Sequence, residues 1–466
     1  MTTRDVDLDD LTVAAAVARL ADRSLRASDL LDACLARLHA LSGSLNAFIT
    51  VTEDEARRAA AAADVARVAG RSQGPLHGIP IALKDLIDQQ GVRTTAASRV
   101  RDEAPLAATD AAVTARLRAA GAVLVGKCNL HEFAFGSTNQ DSAFGPVRHP
   151  SDPTRLAGGS SGGSAVAVAT GMALAALGSD TGGSVRIPAA ACGIVGLKPA
   201  FGEVPLDGVV PLSVSLDHIG PLCRTAEDAW LLHTVLAAVP ADHAAPPPPR
   251  TLSLLRARVL RGYFLDLLED DVRERFESAV RQLADRGARI HEGRIAHADE
   301  IVRTYAAITV PEAVAWHAPT LATHADRYTA VVRERLEAGR QLPAVEYLQA
   351  QARRRVLRQE VAQALDDCDI LLLPTLPCVA PHIGQANVRF GEQELPARVA
   401  LLRLTQLFNL TGHPAVTLPC GNTKEGLPVG LQIAGRDTRE LIGWARGIER
   451  EVESSKIVIA AWNARR

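Results

Sequence analysis

The stretch that decides the fold runs from Gly158 to Lys198 and reads GGSSGGSAVAVATGMALAALGSDTGGSVRIPAAACGIVGLK. It contains two Gly/Ser clusters, residues 158–164 and 178–184, which flank a run of small residues at 165–170. Glycine permits positive φ angles and close approach to the backbone, and successive N–H groups in such turns form a concavity that binds anions. One cluster alone would be typical of a loop. Two clusters around a small-residue helix favour a site in which a serine hydroxyl faces an oxyanion hole.

Two familiar motifs fit this chain poorly. Residues 158–162 match G-x-S-x-G, the nucleophile elbow of α/β-hydrolases, which needs a strand immediately before it. Three prolines lie between residues 146 and 153, and proline does not occupy a central strand. Residues 121–128 nearly match the phosphate-binding P-loop, but the match ends in cysteine where a Mg²⁺-binding Ser or Thr is required. We therefore interpret residues 121–128 as a strand that ends at a turn.

A nucleophilic serine needs a base, and the candidates are two histidines and one lysine. His77 lies in a turn and His218 follows Ser215-Leu-Asp, and we interpret both as structural. Lys84 follows the apolar run 79–83, and burial would lower the pKa of its ammonium group so that a neutral amine could accept a proton. The alternative is a lysine at a strand end that extends to solvent. On this segment alone, that alternative is favoured.

Composition excludes several classes of function. The chain has 466 residues and a formal net charge of -2, so its composition does not indicate the positive charge that nucleic-acid binding requires. Seven scattered cysteines without a CxxC pattern indicate reduced, buried thiols. The thirteen histidines show no metal-site spacing, so we expect neither a metal nor another cofactor. The acidic start of the chain and the lack of an 18-residue apolar run predict a cytoplasmic protein without a membrane span.

Short apolar runs alternate with helical patterns along most of the chain, which indicates an α/β fold with a largely parallel sheet. The first 70 residues have helical periodicity, and 270–365 is again mostly helical. Residues 240–250, with four consecutive prolines, predict a surface connection. Strands predicted at 370–373, 415–418 and 429–433 can join the early sheet, so the Pro-rich segment does not divide the chain into two domains.

Several segments together resemble the amidase signature family over nearly the whole chain. Besides the Gly/Ser block, they are LHGIPIALKD (76–85), GKCNLHEFAFG (126–136), GLKP (196–199), SLDHIGP (215–221), FNLTGHP (408–414) and GLPVGLQ (426–432). The resemblance implies one domain over 1–466 with a large, mixed, mostly parallel central sheet flanked by helices on both faces. Its implied parts are an N-terminal helical segment (1–70), a catalytic core (76–240), a mostly helical insertion over the substrate pocket (250–365) and C-terminal strands and a helix that complete the sheet (366–466).

The resemblance also implies the roles of individual residues. Ser184 matches the nucleophile, Ser160 the bridging serine that follows a cis peptide bond, and Lys84 the general base. The backbone N–H groups of Thr181, Gly182, Gly183 and Ser184 match the oxyanion hole. Asp180 and Arg186 match a structural ion pair that brackets this loop. The implied reaction is amide hydrolysis through an acyl-enzyme, with no histidine in the triad, no metal and no cofactor.

Two residues that differ from a family pattern indicate which branch of the family this chain resembles. One branch consists of glutaminase components of tRNA-dependent amidotransferases, which hydrolyse glutamine for a partner. These proteins read Arg-Gln-Pro and Ser-Leu-Asp-Gln where this chain has Ile187 and His218. Both departures favour a free-standing amidase over such a glutaminase, and the complete triad argues against an inactive binding protein. A homodimer is compatible with the family.

The expected substrates are small molecules. Aryl or alkyl amides are expected first, with carbamates (urethanase activity) second and esters as side substrates. The family places the substrate pocket at Phe135, Gly136 and Ser137, together with Phe133, Thr138 and parts of the 270–365 insertion. Aromatic residues make up 4% of the chain, so we expect an aliphatic pocket. Glu203 stands where the family often has arginine, which weakens the expectation of a carboxylate-bearing substrate.

Overall fold

The computed structural model describes residues 6–452. Its helices are α1 (Val13–Ala21), α2 (Ala27–Leu45), α3 (Glu53–Val68), α4 (Ala112–Ala119), α5 (Gly162–Ala169), α6 (Arg186–Ala191), α7 (Ala226–Leu236), α8 (Asp270–Asp285), α9 (Ile301–His324), α10 (Ala330–Gly339), α11 (Ala344–Ala364), α12 (Ala397–Leu402), α13 (Gln406–Thr411) and α14 (Thr438–Glu449). Its strands are β1 (Phe48–Val51), β2 (Pro80–Lys84), β3 (Val123–Cys128), β4 (Ala175–Ser179), β5 (Val195–Lys198), β6 (Ile219–Cys223), β7 (Arg256–Leu260), β8 (Arg289–Gly293), β9 (Ile370–Pro374), β10 (Asn387–Phe390), β11 (Gln393–Pro396), β12 (Ala415–Asn422) and β13 (Pro428–Ala434).

Eleven of the strands described between residues 6 and 452 form one sheet in the order β1-β3-β2-β4-β6-β5-β12-β13-β9-β7-β8, with helices packed against it. The predicted mixed α/β fold is therefore confirmed, and late strands β12, β13 and β9 do join early strand β5. The division of the chain into one domain with four parts stays a prediction.

Parallel pairing is grouped in two places. Strands β3, β2 and β4 are parallel to one another, as are β9, β7 and β8. The strands between these groups pair antiparallel, as does β1 with β3. Four of the ten pairs in the described part of this sheet are thus parallel, a smaller share than the alternation of strands and helices suggested. The sequence-adjacent pair β12/β13 accounts for part of the difference, because a short connection joins antiparallel strands.

The segment 250–365 is less purely helical than expected, because it contributes β7 and β8 to one end of the sheet. Neither strand has the continuous apolar run that marks a central strand. Arg256 is exposed at the start of β7, and β8 shows no buried residue along its length. Charged, exposed residues are common on edge strands because they discourage pairing with other molecules.

The centre of the fold is built from small residues. Helix α5 packs on β2 and β4, and every residue from Gly162 to Val168 is buried. Its glycines and alanines let the helix lie close to the sheet, which holds the preceding turn over the ends of the parallel strands. Along the described chain, the helices lack the combination of length and apolar character that a bilayer span requires.

Candidate active site

Lys84 is the last residue of β2, and its side chain is fully buried. Its Nζ atom lies 2.7 Å from Ser160 Oγ and 2.8 Å from Ser179 Oγ. Ser179 ends β4, the parallel neighbour of β2, so both residues reach the same edge of the sheet. A neutral amine has two N–H donors and one lone pair, so it can donate to one hydroxyl and accept a proton from the other.

Burial sets the charge state of this lysine. It lowers the pKa of Lys84 from 10.5 to about 7, while the carboxylates of Asp180 and Asp217 oppose the shift. Burial also raises the pKa of the Asp217 carboxyl to about 6. The Lys84 amine is consequently available in its neutral form near pH 7, which an exposed lysine is not.

The two Gly/Ser clusters meet in front of Lys84. Ser160 follows a cis peptide bond from Gly159, and the next N–H, that of Ser161, donates to the carbonyl of Ser184 at 3.3 Å. A Cβ atom on Gly178 would lie 2.8 Å from Ser161 Oγ, so only glycine lets the clusters pack this closely. Ser184 is 4% exposed.

Four consecutive backbone donors lie beside Ser184. Within residues 6–452, the N–H groups of Thr181, Gly182, Gly183 and Ser184 donate to no protein acceptor. The loop is fixed from behind, because Thr405 Oγ1 donates to the Gly182 carbonyl at 2.5 Å. Gly183 has φ +137°, and a Cβ atom there would lie 2.1 Å from Thr405 Oγ1. The arrangement presents free donors to an oxygen that gains negative charge.

Asp180 and Arg186 form a buried ion pair that brackets this loop. Arg186 donates to both Asp180 carboxylate oxygens, at 2.9 Å and 3.0 Å. Burial alone would raise the pKa of Asp180, but the Arg186 guanidinium outweighs it and holds that pKa well below its ordinary value. Asn409 and Gln432 complete the cluster, each accepting a hydrogen bond from Arg186.

Removing the Arg186 guanidinium should destabilise the fold strongly. Arg186→Leu leaves the Asp180 charge buried without its partner, which costs about 3–5 kcal/mol. Urea unfolding followed by fluorescence measures the loss. The matched control is Arg256→Leu, which breaks an Arg–Asp pair of 2.8 Å at the surface and should leave the midpoint nearly unchanged. Equal midpoints for the two variants would contradict the assigned role.

The predicted pocket residues differ in where they lie. Phe135 lines a cavity of about 310 Å³ between α9, α10 and α12. Gly136 instead packs on His131, whose ring would lie 2.1 Å from an added Cβ atom. Ser137 is buried, and its hydroxyl donates to the Arg398 carbonyl at 3.0 Å. Of the three residues, only Phe135 borders the cavity, and the substrate-binding role of all three stays a prediction.

Phe133 and Thr138 also lie away from the cavity lining. The Phe133 ring packs in an aromatic cluster with Trp316, His317 and Tyr328. The cavity is lined by Phe135, Val302, Tyr305, Ala306, Thr309, Val310, Arg335, Ala338, Gly339, Leu342, Arg398, Val399, Leu402 and Gln406. The lining combines aliphatic side chains with two aromatic and two cationic ones, and the expectation of an aliphatic substrate pocket stays a prediction. Composition averages over the whole chain, whereas the fold gathers the aromatic and cationic side chains of this cavity from four separate segments.

A sequence profile of the amidase family matches residues 29–441. This chain belongs to the amidase family. It is 41% identical to an amidase from Pseudomonas putida, with 90% of each chain covered. It is 40% identical to the A-type subunit of the glutamyl-tRNA(Gln) amidotransferase of Chloroflexus aurantiacus (strain ATCC 29366 / DSM 635 / J-10-fl), covering 92% of this chain and 94% of that one. The solved structure of an amidase matches with a TM-score of 0.90 and 36% identity, covering 95% of this chain and 100% of that one.

The resemblance stated from the sequence is thereby confirmed, and the protein is an amide-hydrolysing enzyme. Its relatives carry the names of both amidases and amidotransferase components, so the family alone leaves the substrate of this amidase open.

Sequence reasoning missed several residues of the amidase site. Ser179 lay inside the Gly/Ser block, but only the strand pairing brings it to Lys84. Asn409 and Gln432 lay in matched segments without an assigned role, although a buried arginine needs such acceptors. The two histidines weighed as bases bond the backbone instead: His77 contacts the Ala63 carbonyl at 2.9 Å and His218 the Leu216 carbonyl at 2.8 Å.

Proposed function

We propose that this amidase is a free-standing hydrolase in which Ser184 is the nucleophile, Ser160 the proton bridge and Lys84 the general base. Small-molecule amides are its proposed substrates, with carbamates second and esters as side substrates. The observation that carries the proposal is the 2.7 Å contact between a buried lysine and Ser160 Oγ, beside four N–H groups without acceptors in the described chain. A cytoplasmic homodimer is the proposed form of the enzyme.

The first half of the proposed reaction makes an acyl-enzyme. The lone pair of Lys84 Nζ takes the Ser160 hydroxyl proton while Ser160 Oγ takes that of Ser184. Ser184 Oγ bonds to the substrate carbonyl carbon, and the C=O electron pair moves onto oxygen. When this oxyanion collapses, the C–N bond breaks and the leaving nitrogen receives a proton from Ser160, which regains one from Lys84.

In the second half, water replaces the amine. Its proton passes through Ser160 to Lys84 while its oxygen attacks the ester carbonyl. Collapse returns the electron pair and a proton to Ser184 Oγ and releases the acid. Carbamates follow the same steps, and the hydrolysis product then loses CO₂.

One feature lowers the barrier in this scheme. Each backbone N–H directed at the oxyanion is worth roughly 3 kcal/mol, and residues 181–184 offer such donors without a competing protein acceptor among residues 6–452. The Ser160 and Ser184 hydroxyls share no hydrogen bond in the described part of the chain. Catalytic hydrogen bonds commonly tighten when substrate binds, so the second proton transfer needs this approach.

A glutaminase that serves an amidotransferase complex is the second candidate, favoured by the 40% identity to the Chloroflexus aurantiacus protein. Ile187 and His218 distinguish this chain from the glutaminase pattern, which supports the free-standing enzyme.

Turnover of a substrate panel by the purified chain tests the proposal. We expect release of aniline from small acyl anilides, or of amine from carbamates, without a partner protein. Glutaminase activity that requires a copurified partner would instead identify a component of an amidotransferase.

A further inference from the structure

The directions of the four N–H groups at residues 181–184 depend on the carbonyl groups on the other side of the same peptides. A peptide group is planar, and in a trans peptide the C=O and N–H bonds point in opposite directions. Among the described residues only the Gly159–Ser160 peptide is cis, so this relation holds across the loop. A partner that fixes the carbonyl of one residue therefore also fixes the direction of the next N–H group.

Three of the four carbonyls in the loop 180–183 accept hydrogen bonds from described residues. Asn409 Nδ2 lies 2.8 Å from the Asp180 oxygen, Thr405 Oγ1 lies 2.5 Å from the Gly182 oxygen, and the Ile187 N–H donates to the Gly183 oxygen at 2.6 Å. The Ile187 bond belongs to the first turn of α6 and comes with the helix. The other two donors are side chains more than 200 positions away in the chain.

Thr405 is fully buried at the start of α13, and the structure holds it firmly. Its own carbonyl accepts a hydrogen bond from Arg186 Nη1 at 3.0 Å, so the buried ion pair also fixes this residue. The hydroxyl has one proton, and the Gly182 carbonyl is closer to it than the Leu402 carbonyl, which lies at 3.2 Å. An added Cβ atom on Gly183 would lie 2.6 Å from the Thr405 Cβ atom, so Thr405 contacts the loop directly.

We propose that Thr405 is a positioning residue of the oxyanion hole, whose hydroxyl holds the Gly182 carbonyl and thereby directs the Gly183 N–H toward the oxyanion. This role rests on the proposed hydrolase function. Thr405 acts through the backbone of the loop and not on the reacting atoms. Asn409 makes a similar contact with the Asp180 carbonyl, but it also bonds to the Asp180 carboxylate and to Arg186. Thr405 is therefore the residue at which alignment can be tested without breaking the ion pair.

Thr405→Ala and Thr405→Ser isolate the hydroxyl, because both variants lose the γ-methyl group and only alanine also loses the oxygen. Removal of a whole oxyanion donor lowers kcat roughly 10²–10³-fold, so loss of its alignment in Thr405→Ala should lower kcat about 10- to 100-fold. KM should stay within about twofold, and Thr405→Ser should keep kcat within about threefold of the wild type. Thr411→Ala is the control, at a buried threonine whose hydroxyl has no described partner, and should keep full activity.

Inhibition by 2,2,2-trifluoroacetophenone supplies a readout that a merely structural role would not change. Ser184 Oγ bonds to the ketone carbon, the C=O electron pair moves onto oxygen, and the Ser184 proton passes through Ser160 to Lys84. The adduct thus places an oxyanion at the loop without breaking a C–N bond. The corresponding alcohol, 2,2,2-trifluoro-1-phenylethanol, cannot form this adduct. Thr405→Ala should raise Ki for the ketone by about the factor by which kcat falls, and should leave Ki for the alcohol within about twofold.

Wild-type kcat and ketone affinity in Thr405→Ala, or equal losses in Thr405→Ser and Thr405→Ala, would overturn the role of the hydroxyl. An equal loss of affinity for ketone and alcohol would overturn it as well, because it would indicate a general change of the pocket. If Thr405→Ala does not fold, Thr405→Val keeps the volume of the side chain without its hydroxyl and carries the same expectations. A wild-type enzyme with neither fluorophosphonate labelling nor amide turnover would instead count against the proposed hydrolase function itself.

Discussion

Ser184→Ala is expected to lower kcat at least ~10⁴-fold on every amide that the wild-type enzyme hydrolyses. The substitution removes the atom that forms the acyl-enzyme, and no neighbouring hydroxyl in the described chain is placed to replace it beside the same four N–H groups. The residual rate comes from the oxyanion site and substrate binding alone. Single-turnover kinetics with the best substrate of the panel measures the loss.

Folding should be unaffected by this change. The Ser184 side chain forms no hydrogen bond with any residue described between 6 and 452, so its loss leaves no buried partner unsatisfied. The circular dichroism spectrum and the urea midpoint should match those of the wild type. Ser151→Ala, at a serine whose hydroxyl also has no described partner, is the control and should retain full activity. Normal turnover by Ser184→Ala would exclude it as the nucleophile.

The second large effect is expected at Lys84, both on substitution and with pH. Lys84→Met keeps the length and apolar character of the side chain but removes the base, which should cost ~10²–10⁴-fold in kcat/KM. In the wild type, Lys84 must be unprotonated to accept a proton. Because its pKa is lowered to about 7, kcat/KM should be constant above that pH and fall about tenfold per pH unit below it.

The pH profile distinguishes a base from a structural cation. A lysine that acted only as a charged hydrogen-bond donor would support activity below its pKa and lose it above, the opposite sign. Lys424→Met, at an exposed lysine, is the control and should leave the profile unchanged. A profile that falls as pH rises through 7 would contradict the assignment of Lys84 as base.

The residues that do chemistry could be predicted from sequence because they lie in dense, unusual local patterns. Two Gly/Ser clusters within 27 residues have few structural explanations, and both meet at Ser160 and Ser184 in the fold. The prediction that Lys84 is the base was weaker, because lysine is common at the end of a strand. The functional evidence for Lys84 is its contact with Ser160, 76 positions away in the chain. That proximity follows from the packing of α5, which begins just after Ser160, on β2 and β4.

The pocket could not be predicted in the same way. Phe135 was expected in the pocket only from the family resemblance, and Tyr305, Arg335 and Arg398 come from three further segments without a local pattern that signals binding. An arginine on an amphipathic helix is usually solvated. Only the packing of α9, α10 and α12 around one cavity shows that Arg335 and Arg398 face inward, without an acidic ion-pair partner in the described chain.

Strands β7 and β8, at one end of the sheet, were not predicted from the sequence for a related reason. Strands β7 and β8 carry arginines and other exposed residues where a central strand would be apolar. The strand conformation of β7 depends on pairing with β9, which lies more than a hundred residues away in sequence, and β8 pairs in turn with β7. Central strands such as β9, by contrast, are apolar on both faces and could be located from the sequence.

The central claim is that Ser184 is the nucleophile of a serine hydrolase, and intact-protein mass spectrometry after exposure to a fluorophosphonate tests it most directly. Peptide mapping locates the modified residue. We expect a single adduct, on Ser184, that is absent from Ser184→Ala and strongly slowed in Lys84→Met. An adduct on another serine, or no adduct on an enzyme that turns over amides, would contradict the account.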